Sequence, residues 1–220
     1  ELIFSSIIDL LTKHKKIVIV SHVNPDGDAL GSSLALCLFA KKMGADARVI
    51  VPNDYPEYLS WMPSIQNVLV YDKNVDESNR LMSEAELFCY LDFNTESRTG
   101  IMHNDLCRYN KVPKILIDHH IGADRAHFVE SYSETEISST SEMIAELIKY
   151  HGFEIYLDDD IATSIVVGMI TDTGTFSHSI FKNTFSIFGE ILSSTTIDYK
   201  KIHQNIYNTS TENRLRLLGF

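Results

Sequence analysis

Cysteine is scarce in this chain, and its spacing argues against a cysteine-rich zinc site or a redox pair. Cys37, Cys89 and Cys107 are the three cysteines among 220 residues, and no two of them form a Cys-x-x-Cys pair. Such pairs are the usual sequence sign of zinc sites and dithiol redox centres. We therefore predict that all three are reduced packing residues.

The chain also has no excess of basic residues. Its 30 acidic residues outnumber its 19 basic ones, so the formal net charge is −11. A protein that grips long nucleic acid through its phosphates normally carries a basic stripe, and none is visible here. We expect any nucleic-acid partner to be a short oligonucleotide or a nucleotide rather than a long duplex.

Long apolar runs are missing as well. No run approaches the roughly 18 residues needed to span a membrane, and residues 1–8 lack the basic region that begins a signal peptide. These absences predict a cytoplasmic protein without a membrane partner. The chain begins with Glu1 and stops at Phe220, and we expect it to be a piece of a longer protein.

What the chain does contain is a series of short apolar runs that alternate with helical patterns. The runs at 17–20, 47–51, 67–71, 87–91 and 114–117 predict buried strands. Helices are predicted over 2–11, 29–43, 76–85, 139–150, 183–192 and 199–207, near 99–109, and after the acidic run 158–160. Strands that alternate with helices indicate an α/β fold with a doubly wound, mainly parallel sheet flanked by helices.

Carboxylate or imidazole side chains follow three of these runs, 17–20, 87–91 and 114–117, and a further apolar run at 165–171. In a doubly wound sheet, ligands bind where the carboxyl ends of the strands meet. We place six candidate metal ligands at such ends: His22, Asp26, Asp28, Asp92, His119 and Asp172. The set offers oxygen and nitrogen donors and no thiolate, which suits Mn²⁺ or Mg²⁺ better than structural zinc.

Six ligands exceed the need of one tetrahedral ion, and we therefore predict a two-metal site. Asp26 and Asp28 flank Gly27 and can turn toward different ions, while Asp92 can bridge two. Two cations about 3.5–4 Å apart clamp the attacking and leaving oxygens of a phosphoryl displacement and lower the pKa of a bound water. This pattern predicts a metal-dependent hydrolase of phosphate esters.

Three further residues are candidate catalytic groups. His120 can contact a phosphoryl oxygen or protonate the leaving group, and Arg98 can pair with a phosphate. Asp118 can hold His119 in its ligating tautomer or brace the loop. His178 is left open between a substrate contact and an ordinary surface histidine.

Four segments, taken in order, resemble the motifs of the DHH family of phosphoesterases. They read HVNPDGDALGS at 22–32, DFN at 92–94, DHH at 118–120 and TDTGTF at 171–176. The match spans about residues 15–180, and four motifs in order are far more specific than any one of them. The resemblance implies one Mn²⁺ held by His22, Asp26 and Asp92, and a second held by Asp28, Asp92, His119 and Asp172. Mg²⁺ and Co²⁺ are the expected substitutes.

Within the family the chain looks most like the nanoRNase and pAp-phosphatase branch, also described as exopolyphosphatase-related or RecJ-like. That resemblance implies hydrolysis of very short RNA or of 3′-phosphoadenosine 5′-phosphate (pAp), and a homodimer is compatible with it. Three alternatives stay open: cyclic or linear dinucleotides as substrates, pyrophosphate or polyphosphate as substrates, and a nucleotide-binding regulatory module without activity.

The resemblance also bears on domain organisation. Relatives carry a second, DHHA1-type domain with a glycine- and histidine-rich substrate motif, and this chain contains no such motif. We therefore predict a DHH catalytic domain over residues 1–192 and a connecting segment over 193–220 that leads toward a C-terminal domain outside this chain. Several relatives also place arginine after the fourth motif, where this chain has Ser177 and His178.

Overall fold

A computed structural model describes residues 2–208, so residues 209–220 of the predicted connecting segment lie outside the described residues. The strands are β1 (Lys16–Val20), β2 (Asp46–Val51), β3 (Leu69–Val70), β4 (Leu87–Leu91), β5 (Lys114–Asp118) and β6 (Glu130–Ser133). The α-helices are α1 (Leu2–Lys13), α2 (Gly27–Lys42), α3 (Val75–Glu84), α4 (His103–Leu106), α5 (Thr140–Tyr156), α6 (Asp159–Asp172), α7 (Thr184–Ser194) and α8 (Tyr199–Tyr207). None of these helices is both long enough and apolar enough to cross a membrane.

The strands form one sheet in the order β3-β2-β1-β4-β5-β6. Every neighbouring pair is parallel, so the intervening chain, mostly helical, must return across a face of the sheet before each new strand. This confirms the predicted α/β fold with a doubly wound parallel sheet. The strand order reverses at β1, which pairs with β2 on one side and with β4 on the other.

The central strands are continuous apolar runs because helices cover both faces of the sheet. All five residues of β4 are buried, and successive side chains point to opposite faces. Cys89 packs into the larger core, which also contains residues of α1, α2, α5 and α6. Phe88 and Tyr90 pack into a smaller core with residues of α3 and α4.

The two edge strands differ from the sequence prediction. β6 was missed because its four residues are all only half-buried and contain no apolar run. An edge strand pairs on one side only, so hydrogen bonds to β5 can define it without a hydrophobic pattern. At the other edge, the strand predicted over 67–71 is reduced to the two residues of β3, with 3₁₀ turns before and after it.

The segment between β4 and β5 does not form the single helix predicted near 99–109. It contains a 3₁₀ helix (Glu96–Met102), the single turn of α4 and a second 3₁₀ helix (Cys107–Tyr109). Gly100 interrupts the first of these with a left-handed φ of 57°. A side chain at Gly100 would overlap Val23, so this loop passes directly against the loop that follows β1.

Helices α2 and α6 approach each other closely because glycines lie at their contact. A Cβ atom on Gly31 of α2 would lie 2.5 Å from the carbonyl oxygen of Ser164 in α6. A Cβ atom on Gly168 of α6 would lie 2.6 Å from Oδ1 of Asp28. The close packing brings the beginning of α2 beside the end of α6, and with it Asp28 beside Asp172.

We predict that Gly31→Ala destabilises the fold by about 1–3 kcal/mol, the usual cost of forcing a methyl group into a packed interface. The added Cβ would meet backbone, which cannot move aside as a side chain can. Gly189→Ala in α7 is the matched control, because nothing lies within 4 Å of its Cβ position. That control should be neutral or stabilising by up to about 1 kcal/mol. Urea unfolding measures both, and equal effects would contradict the packing account.

Candidate metal centre

The centre begins with a histidine that follows β1. His22 is 4% exposed, and its Nδ1 atom donates a hydrogen bond of 2.8 Å to the carbonyl oxygen of Val23. This places the proton on Nδ1 and leaves the lone pair of Nε2 for a metal ion. Burial is the main cause that lowers the pKa of His22, which favours the neutral, metal-binding imidazole.

Asp26 and Asp28 are positioned by the start of α2. Oδ1 of Asp26 accepts hydrogen bonds of 3.0 Å from the backbone N–H groups of Asp28 and Ala29, which caps the helix. The helix therefore begins at Gly27, two residues before the predicted start, and Asp28 lies in its first turn rather than in the preceding loop. Asp26 stays exposed while Asp28 is buried.

Asp28 is held from the opposite side by the N-terminus of α5. Its Oδ2 accepts a hydrogen bond of 2.7 Å from the backbone N–H of Thr140, and its Oδ1 accepts one of 2.8 Å from that of Ser141. A helix N-terminus stabilises negative charge through its unpaired N–H groups and its dipole. The α5 N-terminus therefore keeps a carboxylate that is 1% exposed in a defined orientation.

Asp92 lies at the centre of the cluster. It follows β4, is 2% exposed, and has a left-handed φ of 66°. That conformation is uncommon for a residue with a side chain, and such strain concentrates at functional sites. Its Oδ1 accepts a hydrogen bond of 3.0 Å from the hydroxyl of Thr140.

His119 faces three carboxylates at once. Its Nε2 lies 3.5 Å from Oδ1 of Asp92, 3.4 Å from Oδ2 of Asp172 and 3.9 Å from Oδ2 of Asp28. These separations exceed a hydrogen bond, and they are typical of donors that surround an ion. The imidazole and the carboxylates therefore converge on one small volume.

The six predicted ligands fall into two geometric sets. In each set, one donor atom per residue lies within 4.8 Å of the donors of the others. The first set is His22, Asp26 and Asp92, and the second is Asp28, His119 and Asp172. Oδ1 of Asp92 also lies 3.5 Å from Nε2 of His119, so Asp92 belongs to the first set and adjoins the second, as a bridging ligand would.

One feature of the sequence prediction is wrong. Asp172 was placed at the carboxyl end of a strand, but it is the last residue of helix α6. The apolar run before it, residues 161–170, is buried almost throughout, and an apolar run by itself does not distinguish a buried helix from a strand. Asp172 reaches the centre because α6 packs against α2, not because it ends a strand.

Asp118 pairs with His120 rather than with His119. Oδ1 of Asp118 accepts a hydrogen bond of 2.7 Å from Nδ1 of His120. Asp118 is fully buried at the end of β5, so it fixes the His120 ring, and the alternative role of orienting His119 is not what the structure contains. This hydrogen bond is the main cause that raises the pKa of His120.

Arg98 is in the loop that follows β4 and lies near His22 and His120. Its backbone carbonyl accepts a hydrogen bond of 2.8 Å from the N–H of Val23, which ties this loop to the one that carries His22. Its positive charge adds to the burial that lowers the pKa of His22, and it opposes the rise in the pKa of His120 that Asp118 causes. The guanidinium makes no ion pair with any residue in the 2–208 range, so it remains available for an anion.

The carboxylates of the centre repel one another strongly. Burial, followed by the charges of Asp28 and Asp26, raises the pKa of Asp172 to about 7. Burial and the charges of the same neighbours raise the pKa of Asp92 well above its usual range. Buried carboxylates are stable when a cation or a proton offsets their charge.

The donor set fits divalent cations. It combines neutral imidazole with buried carboxylates that lack any lysine or arginine ion partner within residues 2–208. Hard oxygen donors with imidazole suit Mn²⁺ and Mg²⁺. Thr140 and Ser141, which orient Asp28 and Asp92, were not predicted, because a serine- and threonine-rich stretch gives no sign of which carboxylate it contacts.

A family model for the DHH family, N-terminal domain, matches residues 16–169. The chain belongs to the DHH family. The matched stretch contains five of the six proposed ligands, and Asp172 lies just beyond it. The predicted resemblance to the DHH family is therefore confirmed.

Three curated relatives of this DHH chain carry two different named activities. The bifunctional oligoribonuclease and PAP phosphatase NrnA of Thermus thermophilus is 32% identical over 169 residues, which are 76% of this chain and 45% of the relative. The protein of the same name from Mycoplasma pneumoniae is 25% identical over 204 residues, 92% of this chain and 60% of the relative. The cyclic-di-AMP phosphodiesterase GdpP of Bacillus subtilis is 24% identical over 189 residues, 80% of this chain and 28% of the relative.

Solved structures give the same fold. An exopolyphosphatase-related protein from Bacteroides fragilis superposes with a TM-score of 0.93 at 39% identity, over 99% of this chain and 64% of that chain. The exonuclease RecJ bound to manganese superposes with a TM-score of 0.52 at 16% identity, over 86% of this chain and 47% of that chain. The second likeness shows the fold alone. This DHH chain spans less than two thirds of each of these relatives.

The turn that ends the fourth motif has an unusual backbone. Gly174, Thr175 and Phe176 all have left-handed φ angles, between 53° and 59°. A Cβ atom on Gly174 would lie 2.6 Å from Nε2 of His178, so the ring lies against the glycine at the edge of the centre. His178 itself is exposed, and a substrate contact through it stays a prediction.

We predict that the metal-free chain becomes less stable as the pH rises from about 5 to about 8. The folded state raises the pKa of Asp172 to about 7, above the value near 3.9 of an unfolded aspartate. Between these two pKa values, Asp172 holds a proton in the folded state but not in the unfolded state. This proton stabilises the fold, and the stabilisation is lost as the pH rises past the folded pKa. Thermal unfolding after chelator treatment measures the trend.

Two controls accompany this measurement. Asp172→Asn should flatten the dependence, because the amide cannot ionise. Saturating Mn²⁺ should raise the unfolding temperature most at the upper end of the range, where the carboxylates are charged. A metal-free chain that is more stable near pH 8 than near pH 6 would contradict the account of carboxylate repulsion.

Proposed function

We propose that this chain is the catalytic part of a Mn²⁺-dependent phosphoesterase that hydrolyses very short oligoribonucleotides, pAp or both by two-metal hydrolysis. The observation that carries the proposal is the presence of two adjoining sets of donor atoms, with Asp92 belonging to one and lying beside His119 of the other. His22, Asp26 and Asp92 would hold one cation, and Asp28, Asp92, His119 and Asp172 the other. When bound, such cations offset the charge of the phosphate and lower the pKa of the attacking water.

The chain's own residues orient the substrate and move a proton. His120, fixed by Asp118 at 2.7 Å, is the group that protonates the leaving oxygen. Arg98 binds a non-bridging phosphate oxygen through its fork of N–H donors. Asp26 Oδ1 is occupied by the α2 N-terminus, so its Oδ2 is the oxygen left for an ion.

The substrate class rests on charge and on the relatives. A net charge of −11 disfavours long polyanions, whereas a short substrate can be held by the cations and a few cationic side chains. The relatives named oligoribonuclease and PAP phosphatase act, by their names, on such small substrates. Manganese rather than magnesium is part of the proposal because two imidazoles join the carboxylates.

The remaining expectations belong to the same proposal. We place the catalytic domain at residues 1–192 and the connection toward a DHHA1-type domain at 193–220, in a cytoplasmic protein that can form a homodimer. Helix α8 lies in this connection, and its Ile202 and Ile206 are buried against the larger core. The connection would therefore pack against the catalytic domain at least as far as α8.

A cyclic-di-AMP phosphodiesterase is the second candidate, because the relative GdpP carries that name. It would use the same metal centre and differ in how the nucleotides are held. Pyrophosphate, polyphosphate and linear dinucleotides remain alternative substrates of that chemistry. An inactive regulatory module is disfavoured by the presence of all six ligand side chains in the centre.

We predict Mn²⁺-dependent turnover of pAp or of a short RNA in a panel that also contains a linear dinucleotide, cyclic di-AMP and pyrophosphate. Asp92→Asn and His119→Ala should each lower turnover by at least about 100-fold, the upper end of the loss seen when only a supporting contact of a metal ligand is removed. Both variants should also bind less than two ions per chain by elemental analysis. The activity is measured as the release of phosphate and nucleotides from each substrate, with the longest natural chain as the enzyme.

The matched control is His127→Ala, because His127 is exposed and contributes no donor to the centre. It should retain full turnover and both ions. Preferential turnover of another member of the panel would change the assigned substrate and leave the proposed mechanism intact. Unchanged turnover in Asp92→Asn and His119→Ala would show that the mechanism is wrong.

A further inference from the structure

A second cluster of side chains that could bind a metal ion is separate from the candidate metal centre around Asp92, which is here called the carboxylate centre. It consists of Glu96, His103 and Cys107, whose donor atoms lie within 4.8 Å of one another. All three belong to the broken helical segment between β4 and β5. They are partly exposed, so an ion in solution can reach them.

The distance between the histidine and the cysteine matches a shared metal ion. Nε2 of His103 lies 3.7 Å from Sγ of Cys107. Two donors about 2.1 Å and 2.3 Å from a tetrahedral Zn²⁺ are separated by about 3.6 Å. The two residues are four apart, and one helical turn brings such side chains onto the same face.

A buried hydroxyl near the cluster lacks a hydrogen-bond partner. The hydroxyl of Tyr90 makes no hydrogen bond with any residue between 2 and 208. Tyr90 is 0% exposed, and Glu96 and Cys107 lie close enough to its hydroxyl for their charges to add to the burial that raises the pKa of Tyr90. A buried hydroxyl without a partner calls for a ligand or a water.

The charge of the cluster suits a divalent cation. One oxygen of Glu96 pairs with the ammonium of Lys114 at 2.8 Å, and the second oxygen is left to bind. Loss of the thiol proton to solvent gives a thiolate, which offsets one of the two positive charges of the ion. The donor set of sulfur, nitrogen and oxygen is softer than that of the carboxylate centre.

We propose that Glu96, His103 and Cys107 form a second metal site for Zn²⁺ or a similar thiophilic divalent ion, separate from the Mn²⁺ centre. A water completes the coordination and hydrogen-bonds to the hydroxyl of Tyr90. The ion joins the two ends of the segment 96–107, which carries Arg98. Cys107 is therefore a ligand rather than the packing residue predicted from the sequence.

The test uses Co²⁺ as a spectroscopic probe on the chelator-treated full chain. A thiolate bound to Co²⁺ gives a near-ultraviolet charge-transfer band, and the carboxylate centre cannot produce it because it contains no sulfur. We expect the band in the natural chain and in Asp92→Asn, its loss in Cys107→Ser and its weakening in His103→Gln. Added Zn²⁺ should abolish it by displacement. Cys37→Ser is the matched control and should keep the band, since Cys37 is buried in the larger core.

A measurement on the unaltered chain avoids any folding defect of the variants. Alkylation of Cys107, followed by peptide mass spectrometry, should slow at least about tenfold when Zn²⁺ is added, because a metal-bound thiolate is a poorer nucleophile. Mn²⁺ at the same concentration should have little effect. Absence of the charge-transfer band in the folded natural chain, its survival in Cys107→Ser, or equal alkylation with and without Zn²⁺ would each overturn the proposal.

Discussion

Three carboxylates repel one another at one end of the sheet, and the surrounding contacts of the site offset this repulsion. Asp28, Asp92 and Asp172 converge on His119, and two of them are almost fully buried. Such a cluster is unfavourable unless its charge is offset. The α5 N-terminus offsets part of it at Asp28, and the hydroxyl of Thr140 contacts Asp92. The remaining charge is the physical reason why this position suits divalent cations.

The scaffold holds these groups in place by two independent means. The reversal of strand order at β1 brings the loops after β1 and β4 side by side, as in other doubly wound folds where ligands bind at the switch point. Close packing of α2 against α6, which the glycines at 31 and 168 permit, brings a helix start and a helix end to the same point. Residues on well-packed elements keep the fixed geometry that metal chemistry requires.

The loop between β4 and β5 connects the metal centre to the other face of the sheet. Its beginning contacts the loop of His22 through the N–H of Val23, and its later part packs over Tyr90 in the smaller core. The two clusters of donor atoms that this loop adjoins differ in chemistry. The carboxylate centre holds oxygen and nitrogen donors, whereas the outer cluster includes sulfur, so different ions suit each.

The sequence by itself determined the fold class and which side chains are candidates for the site. Apolar runs such as 87–91 are long and strongly patterned, and DHH at 118–120 follows one of them, so local pattern was enough. Tertiary structure alone decided that Asp172 ends a helix, that Asp118 orients His120 and that Thr140 and Ser141 hold the carboxylates. It also decided that β6 is a strand. These features depend on contacts between residues far apart in the chain, and no local pattern of side chains encodes such contacts.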